Sequence, residues 1–169
     1  MLNWKRLHRY QKKPGWCGPA VIQMILLAVG INKSQESIEK DVNLSWWGTT
    51  EDITIAYLSQ YFTSLGYKNN STLRDITSHI NKGNIVILDW WDDLSQGEPD
   101  GHYSIAASFD SKSKRLTLVD PSAIRRGVWS LKYGEFKKRW YGYLDVNRKL
   151  ILNRFLIWVD PQSKILGEK

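Results

Sequence analysis

The chain has 169 residues, with 24 lysines and arginines against 17 acidic residues, a formal charge of +7. That length suits a single domain, 1–169, able to bury a core without staples. The lone cysteine excludes an internal disulfide framework and a multi-cysteine zinc site. The basic residues lie in short runs such as Lys5-Arg6, Arg125-Arg126 and Lys137-Lys138-Arg139, which match no nucleic-acid motif and read as solvated faces. Met1 to Lys13 is basic and broken, with no apolar stretch before a cleavage site, so no signal peptide is read. The longest apolar run, Ala20 to Ile31, is too short to span a bilayer. A cytoplasmic chain without a membrane span is therefore expected.

In chain order, the first strong element follows Gln11-Lys12-Lys13-Pro14-Gly15-Trp16-Cys17-Gly18-Pro19-Ala20. From Ala20 to Val29 only Gln23 is polar, so this helix is apolar on nearly every face and predicted to be buried, with Gly30 as its stop. Pro19 suits a first helical turn, which places Cys17 at the helix N-terminus, where unpaired N–H groups and the helix dipole favour a thiolate. A short capped helix is predicted over Ser34–Val42. After a loop carrying Trp46 and Trp47, Thr49 or Thr50 caps a helix that the spacing of Ile53, Tyr57, Tyr61 and Leu65 carries to Gly66. A further helix is predicted over Thr72–Lys82, with His79 on its surface.

The second half changes texture. Asn84–Trp90 is a continuous apolar run bounded by Gly83 and an acidic loop, which predicts a strand. His102–Phe109 and Arg115–Val119, joined by a turn at Asp110 to Lys114, predict an antiparallel hairpin ending at Asp120-Pro121. A short strand at Gly127–Trp129, a helix over Leu131–Trp140 and a last strand over Leu150–Val159 complete the chain. A mainly helical half, 1–83, followed by a hairpin-linked half, 84–169, predicts an α+β fold with a twisted antiparallel sheet and a cleft between the halves.

A thiol nucleophile needs a base, a group to orient that base, and donors for the oxyanion. His102 opens one strand of the hairpin and Asp120 ends the other, so pairing about the predicted turn sets them side by side. Gln11 lies six residues before Cys17 across a Pro-Gly turn, and its amide can fold back to join the Cys17 N–H as an oxyanion donor. Each residue has an ordinary alternative: Cys17 as a small buried hydrophobe, His102 as a strand-end histidine, Asp120 as the acid before a turn proline, Gln11 as a loop residue. Ordered together beside a helix-N-terminal cysteine, they point to nucleophilic catalysis. Asp160, also before a proline at a strand end, is the rival orienter. His8 and His79 are weaker bases. Asp92, Asp93 and Asp100 lack the histidine spacing of a metal site, so no metal and no cofactor is expected. Trp16, Trp46, Trp47, Trp90 and Trp91 are candidates for lining a groove, or for the core.

The segment Gln11-x5-Cys17-Gly18-Pro19-Ala20, then His102-Tyr103-Ser104-Ile105, Leu118-Val119-Asp120-Pro121, and Leu131 with Glu135-Phe136 and Trp140, resembles the papain-like peptidase domain of bacteriocin-processing transporters. The likeness runs from Gln11 to about Gly142. It implies a papain-like fold, a Cys17/His102/Asp120 triad with Gln11 in the oxyanion hole, and a peptide or protein substrate cleaved after small residues, as in double-glycine leaders. Trp16 stands where that family often has an acid, and no Walker sequence occurs, so the chain reads as a stand-alone relative. The same acyl-enzyme chemistry would serve an acyltransferase or amidase, and a non-catalytic peptide-binding module is the alternative outside enzymes.

Overall fold

The computed structural model describes residues 2–42, 48–94, 100–122, 124, 127–143 and 151–165. Among these residues the helices are α1 (Trp4–Leu7), α2 (Cys17–Ala28), α3 (Gln35–Val42), α4 (Glu51–Leu58), α5 (Leu73–Asn81) and α6 (Tyr133–Arg139). The strands are β1 (Leu65–Lys68), β2 (Ile85–Asp92), β3 (Asp100–Asp110), β4 (Arg115–Asp120), β5 (Gly127–Lys132), β6 (Tyr141–Tyr143), β7 (Ile151–Asn153) and β8 (Leu156–Val159). Six strands form one sheet in the order β1-β8-β2-β3-β4-β5, and β6 pairs with β7. Every pairing is antiparallel, as the α+β reading expects.

The sheet is covered on both faces. Ile85, Ile87, Tyr103, Ile105, Val119, Ile157 and Val159 pack with α2, Ile38 and Val42 of α3, and Tyr57 and Leu58 of α4. Val86, Leu88, Trp90, Leu116 and Leu118 pack on the other side with Ile76 of α5, Phe136 of α6 and Trp140 just after it. This explains why β2 reads as an unbroken apolar run rather than an alternation: neither of its faces meets water. The α2 helix buries every residue from Gly18 through Leu26 except Gln23 and ends where Gly30 takes φ +79°, which a glycine adopts without strain.

Three predicted elements differ. The helix expected to reach Leu65 stops at Leu58, because Phe62 bridges to Lys164 and Leu65 pairs with Val159; pairing with β8 overrides the four-residue apolar spacing. The strand expected over Leu150–Val159 is two strands, broken where Arg154 takes φ +50°. Its first part pairs with β6, a strand the sequence did not signal, while β8 inserts between β1 and β2. The final helix is shorter than Leu131–Trp140, since Leu131 closes β5 opposite Leu116. Within the basic leader, α1 forms a single turn capped by Asn3. The α5 helix carries a capping box, in which the Thr72 side chain accepts from the Asp75 N–H and the Asp75 carboxylate accepts from the Thr72 N–H. No helix among the described residues is long and apolar enough to cross a membrane.

Candidate active site

Cys17 is the first residue of α2, with Trp16 at the N-cap, and is half-buried. The close packing around it depends on Gly18. A Cβ there would come within 2.6 Å of the Thr49 hydroxyl, so the glycine lets the segment before α4 lie against the start of α2.

The hairpin register sets Trp90 opposite His102 and Ile105 opposite Val119. His102 and Asp120 therefore lie on the same face, two residues out of step along adjacent strands. Their side chains meet, with 2.7 Å between His102 Nε2 and Asp120 Oδ1. Asp120 is fully buried and accepts two further hydrogen bonds, from the Ser122 N–H at 2.9 Å and from the Trp129 indole N–H at 3.0 Å. Three donors around one buried carboxyl suit the ionised form. Trp129 comes from β5, where Gly127 is the register partner of Asp120, so the period-two alternation of that strand returns Trp129 to the same face.

His102 is 8% exposed and its ring lies edge-on to Trp90 at 5.7 Å. Burial alone pulls the imidazole pKa down. The charge and hydrogen bond of Asp120, with the neighbouring Cys17 thiol adding to them, override burial and raise it to about 10. With Nε2 committed to Asp120, Nδ1 is the ring nitrogen left for the thiol.

Gln11 donates its backbone N–H to the Pro121 carbonyl at 2.7 Å, which ties the segment before Cys17 to the turn after Asp120. Its side-chain NH₂ donates to the Lys13 carbonyl at 3.1 Å, while Oε1 is buried without a partner. His8 also belongs to this seam, its Nε2 2.8 Å from the Asp120 carbonyl oxygen and its ring edge-on to Tyr10.

The other sequence candidates lie elsewhere. Asp160 accepts from the Gln162 N–H and caps the 3-10 turn at Pro161–Ser163. His79 is half-buried rather than on the surface, stacked on Trp158 with Asn84 at its Nδ1. Trp90 is not a groove wall but a core residue, wholly buried and donating to the Ser104 hydroxyl. Trp16 is buried under the Lys13 ammonium, Trp91 is half-buried and stacks on Tyr141, and Trp46 and Trp47 lie outside the described residues. Asp93 pairs with Arg139, and no cluster among the described residues could hold a metal ion.

Two features around the site were not read from the sequence. One is Trp129, whose hydrogen bond to Asp120 only the β4–β5 register reveals. The other is a group of buried acids on the α2 side of the sheet. Asp89 is the register partner of Tyr103 and lies close enough to Glu51, the first residue of α4, for the Glu51 charge to act on it. Burial pushes the Asp89 carboxyl well above the usual range, and the Glu51 charge pushes it further. Burial raises Glu51 as well.

Similarity to known proteins agrees with this architecture. The peptidase domain of Streptococcus ComA, described as a bi-functional ABC transporter in a quorum-sensing pathway, superposes with a TM-score of 0.65 at 16% identity, over 90% of this chain and 96% of that one. A double-glycine-motif protease from an AMS/PCAT transporter, solved with its leader peptide, gives 0.58 at 17% identity over 89% and 88%. A Bacillus anthracis protein described by its likeness to C39 peptidases gives 0.60 at 11% identity over 98% and 97%. No curated protein sequence matches the chain. The family model described as Peptidase_C39 like family matches residues 1–146, and the chain belongs to that family.

Proposed function

We propose that the chain is a cysteine peptidase in which Cys17 is the nucleophile, His102 the base and acid, and Asp120 the group that orients the imidazole. The observation that carries this reading is the buried 2.7 Å contact of His102 with Asp120, on a ring that also has the helix-N-terminal Cys17 thiol beside it. A pKa of about 10 keeps the imidazole protonated at neutral pH, so a charged His102 stands beside the sulfur as counter-ion for the attacking thiolate.

The sulfur bonds to the peptide carbonyl carbon, and the oxygen takes the negative charge. The Cys17 N–H and the Gln11 amide are the donors for it; the amide must turn from its bond to the Lys13 carbonyl to serve. The tetrahedral intermediate collapses as His102 protonates the departing amine, leaving a thioester. Water, deprotonated by His102, then attacks the thioester and releases the acid and the thiol. Asp120, held by Ser122 and Trp129, keeps Nε2 occupied so that Nδ1 stays on the thiol side.

A peptide substrate follows from the family, and the solved double-glycine protease with its leader peptide supports cleavage after small residues here. The test is twofold. Iodoacetamide alkylation of Cys17, the sole cysteine, should slow by at least about tenfold at neutral pH in His102→Ala, because the thiolate loses its counter-ion. Cys17→Ala should abolish cleavage of double-glycine peptides while leaving their binding intact. Equal alkylation of both proteins, or undiminished cleavage by Cys17→Ala, refutes the assignment.

A further inference from the structure

The α2 face of the sheet holds an unusual group for a protein of net charge +7. Asp89 is 6% exposed, and its Oδ2 lies so close over Gly142 that a Cβ on the glycine would be 2.0 Å away. Glu51 is half-buried in front of it. Burial raises both carboxyls, and the charge of Glu51 raises Asp89 further, which marks the two as close neighbours in a desolvated place. Neither carboxyl has a lysine or arginine ion-pair partner among the described residues.

A second observation is independent of the charges. The Tyr103 hydroxyl, on a residue 3% exposed, faces both carboxyls without completing a hydrogen bond of good geometry. Thr49 Oγ1, against Gly18, is likewise buried and unpartnered. The oxygens gathered here are carboxyl and hydroxyl acceptors in excess of donors, so what completes them is a group rich in N–H. Cys17 lies within electrostatic reach of both Asp89 and Tyr103, so that group sits next to the reacting sulfur.

Resting on the peptidase reading, we propose that Glu51, Asp89 and the Tyr103 hydroxyl form an anionic subsite beside Cys17 that receives a cationic side chain, lysine or arginine, flanking the scissile bond. Glu51 is the mouth of the subsite, while Asp89 and Tyr103 form its floor. A cation held by a carboxylate stays protonated, so it is a recognition group and not an attacking amine.

The test uses the sole cysteine as reporter. Cys17 is alkylated with cationic 2-bromoethylamine, neutral iodoacetamide and anionic iodoacetate. The rate ratio of the cationic to the neutral reagent is compared between wild type, Glu51→Gln, Asp89→Asn and Tyr103→Phe. The ratio should fall by about fivefold to tenfold in Glu51→Gln, the scale of one partly screened charge contact, and by less in Tyr103→Phe. It should not change in Asp110→Asn, an exposed acid at the far end of β3. An equal ratio in wild type and Glu51→Gln, or an iodoacetate-to-iodoacetamide ratio that Glu51→Gln leaves unchanged, overturns the subsite.

Should the acid variants fail to fold, wild type alone decides. Arginine amide should protect Cys17 from iodoacetamide where an uncharged isostere does not, and equal protection by both overturns the proposal. Failure of the peptidase reading shows separately, as a neutral-reagent rate that His102→Ala leaves unchanged.

Discussion

Replacing Asp120 with asparagine keeps the size of the side chain and removes its charge. In the wild type the imidazole stands at about 10, against an ordinary 6.5, despite a burial that opposes protonation. Asp120 is the largest of the influences that raise it, so its loss leaves burial in command and His102 should titrate at or below its ordinary value. A shift of three units or so corresponds to about 4 kcal/mol, within the range for removing one partner of a buried pair. The asparagine must also place an NH₂ against either the His102 ring or the Trp129 N–H, both of which now meet a carboxylate oxygen. The sign follows from the direction of the shift. A histidine raised in the folded state stabilises fully below its unfolded value near 6.5, and that contribution drains away as pH rises through about 10. Urea unfolding across this window should show wild type losing stability from pH 6.5 upward and Asp120→Asn remaining flat. Proton NMR of the His102 ring gives the pKa directly. A ring still titrating near 10 in the variant, or a stability gap between the two proteins equal at both ends of the window, would show that Asp120 does not hold the charge.

Further outcomes follow from packing. Gly142→Ala puts a methyl where Asp89 Oδ2 lies and should cost about 1–3 kcal/mol in chemical denaturation. Trp90→Ala empties a wholly buried site and orphans the Ser104 hydroxyl, so a loss of about 3–5 kcal/mol is expected by the same measurement. Thr72→Ala removes half of the capping box of α5 and should cost about 1 kcal/mol, seen first as faster amide exchange in its opening turn. Lys68 holds the Asp75 carboxyl down to about 2. Lys68→Met should therefore erase a small stabilisation that wild type keeps above pH 3.8 and loses as pH falls through about 2, read as convergence of the two acid-unfolding curves.

Much of the fold was legible because the local signals and the tertiary demands agree. The α2 helix is apolar all round and is buried; β2 is a solid apolar run and has both faces covered; the β3–β4 hairpin turns where its polar tip predicts. The misreadings share a cause. Leu65 continues a four-residue spacing that a helix would use, but the edge of β8 offers it a backbone ladder, and that long-range pairing decides. Arg154 gives no sequence warning of a left-handed residue, so one apolar stretch was read as one strand where the chain turns and serves two sheets. Trp90, a candidate for groove or core, alternates with Asp89 and Trp91 and takes the α6 side, where it is core.

The same alternation explains how the candidate site is put together. Consecutive residues of β3 serve opposite faces: His102 turns toward Trp90 and the α6 side, and Tyr103 turns toward α2. Asp120 reaches His102 from the next strand, while Ser122 and Trp129 hold Asp120 from its own turn and from β5. The orientation of the imidazole is thus set by the sheet and the turn that follows β4. The thiol comes from another layer, at the end of a helix whose approach depends on Gly18 and on Thr49 lying against it. Two rigid parts, each over-determined by its own packing, meet at the Cys17–His102 contact, which no backbone hydrogen bond spans directly. In the proposed reading a substrate enters at that contact, and the acids on the Tyr103 side and the His102–Asp120 pair on the other give it two different electrostatic walls. A sequence pattern can name the residues on each wall, but only the register of three strands reveals that neighbours in the chain face different ones.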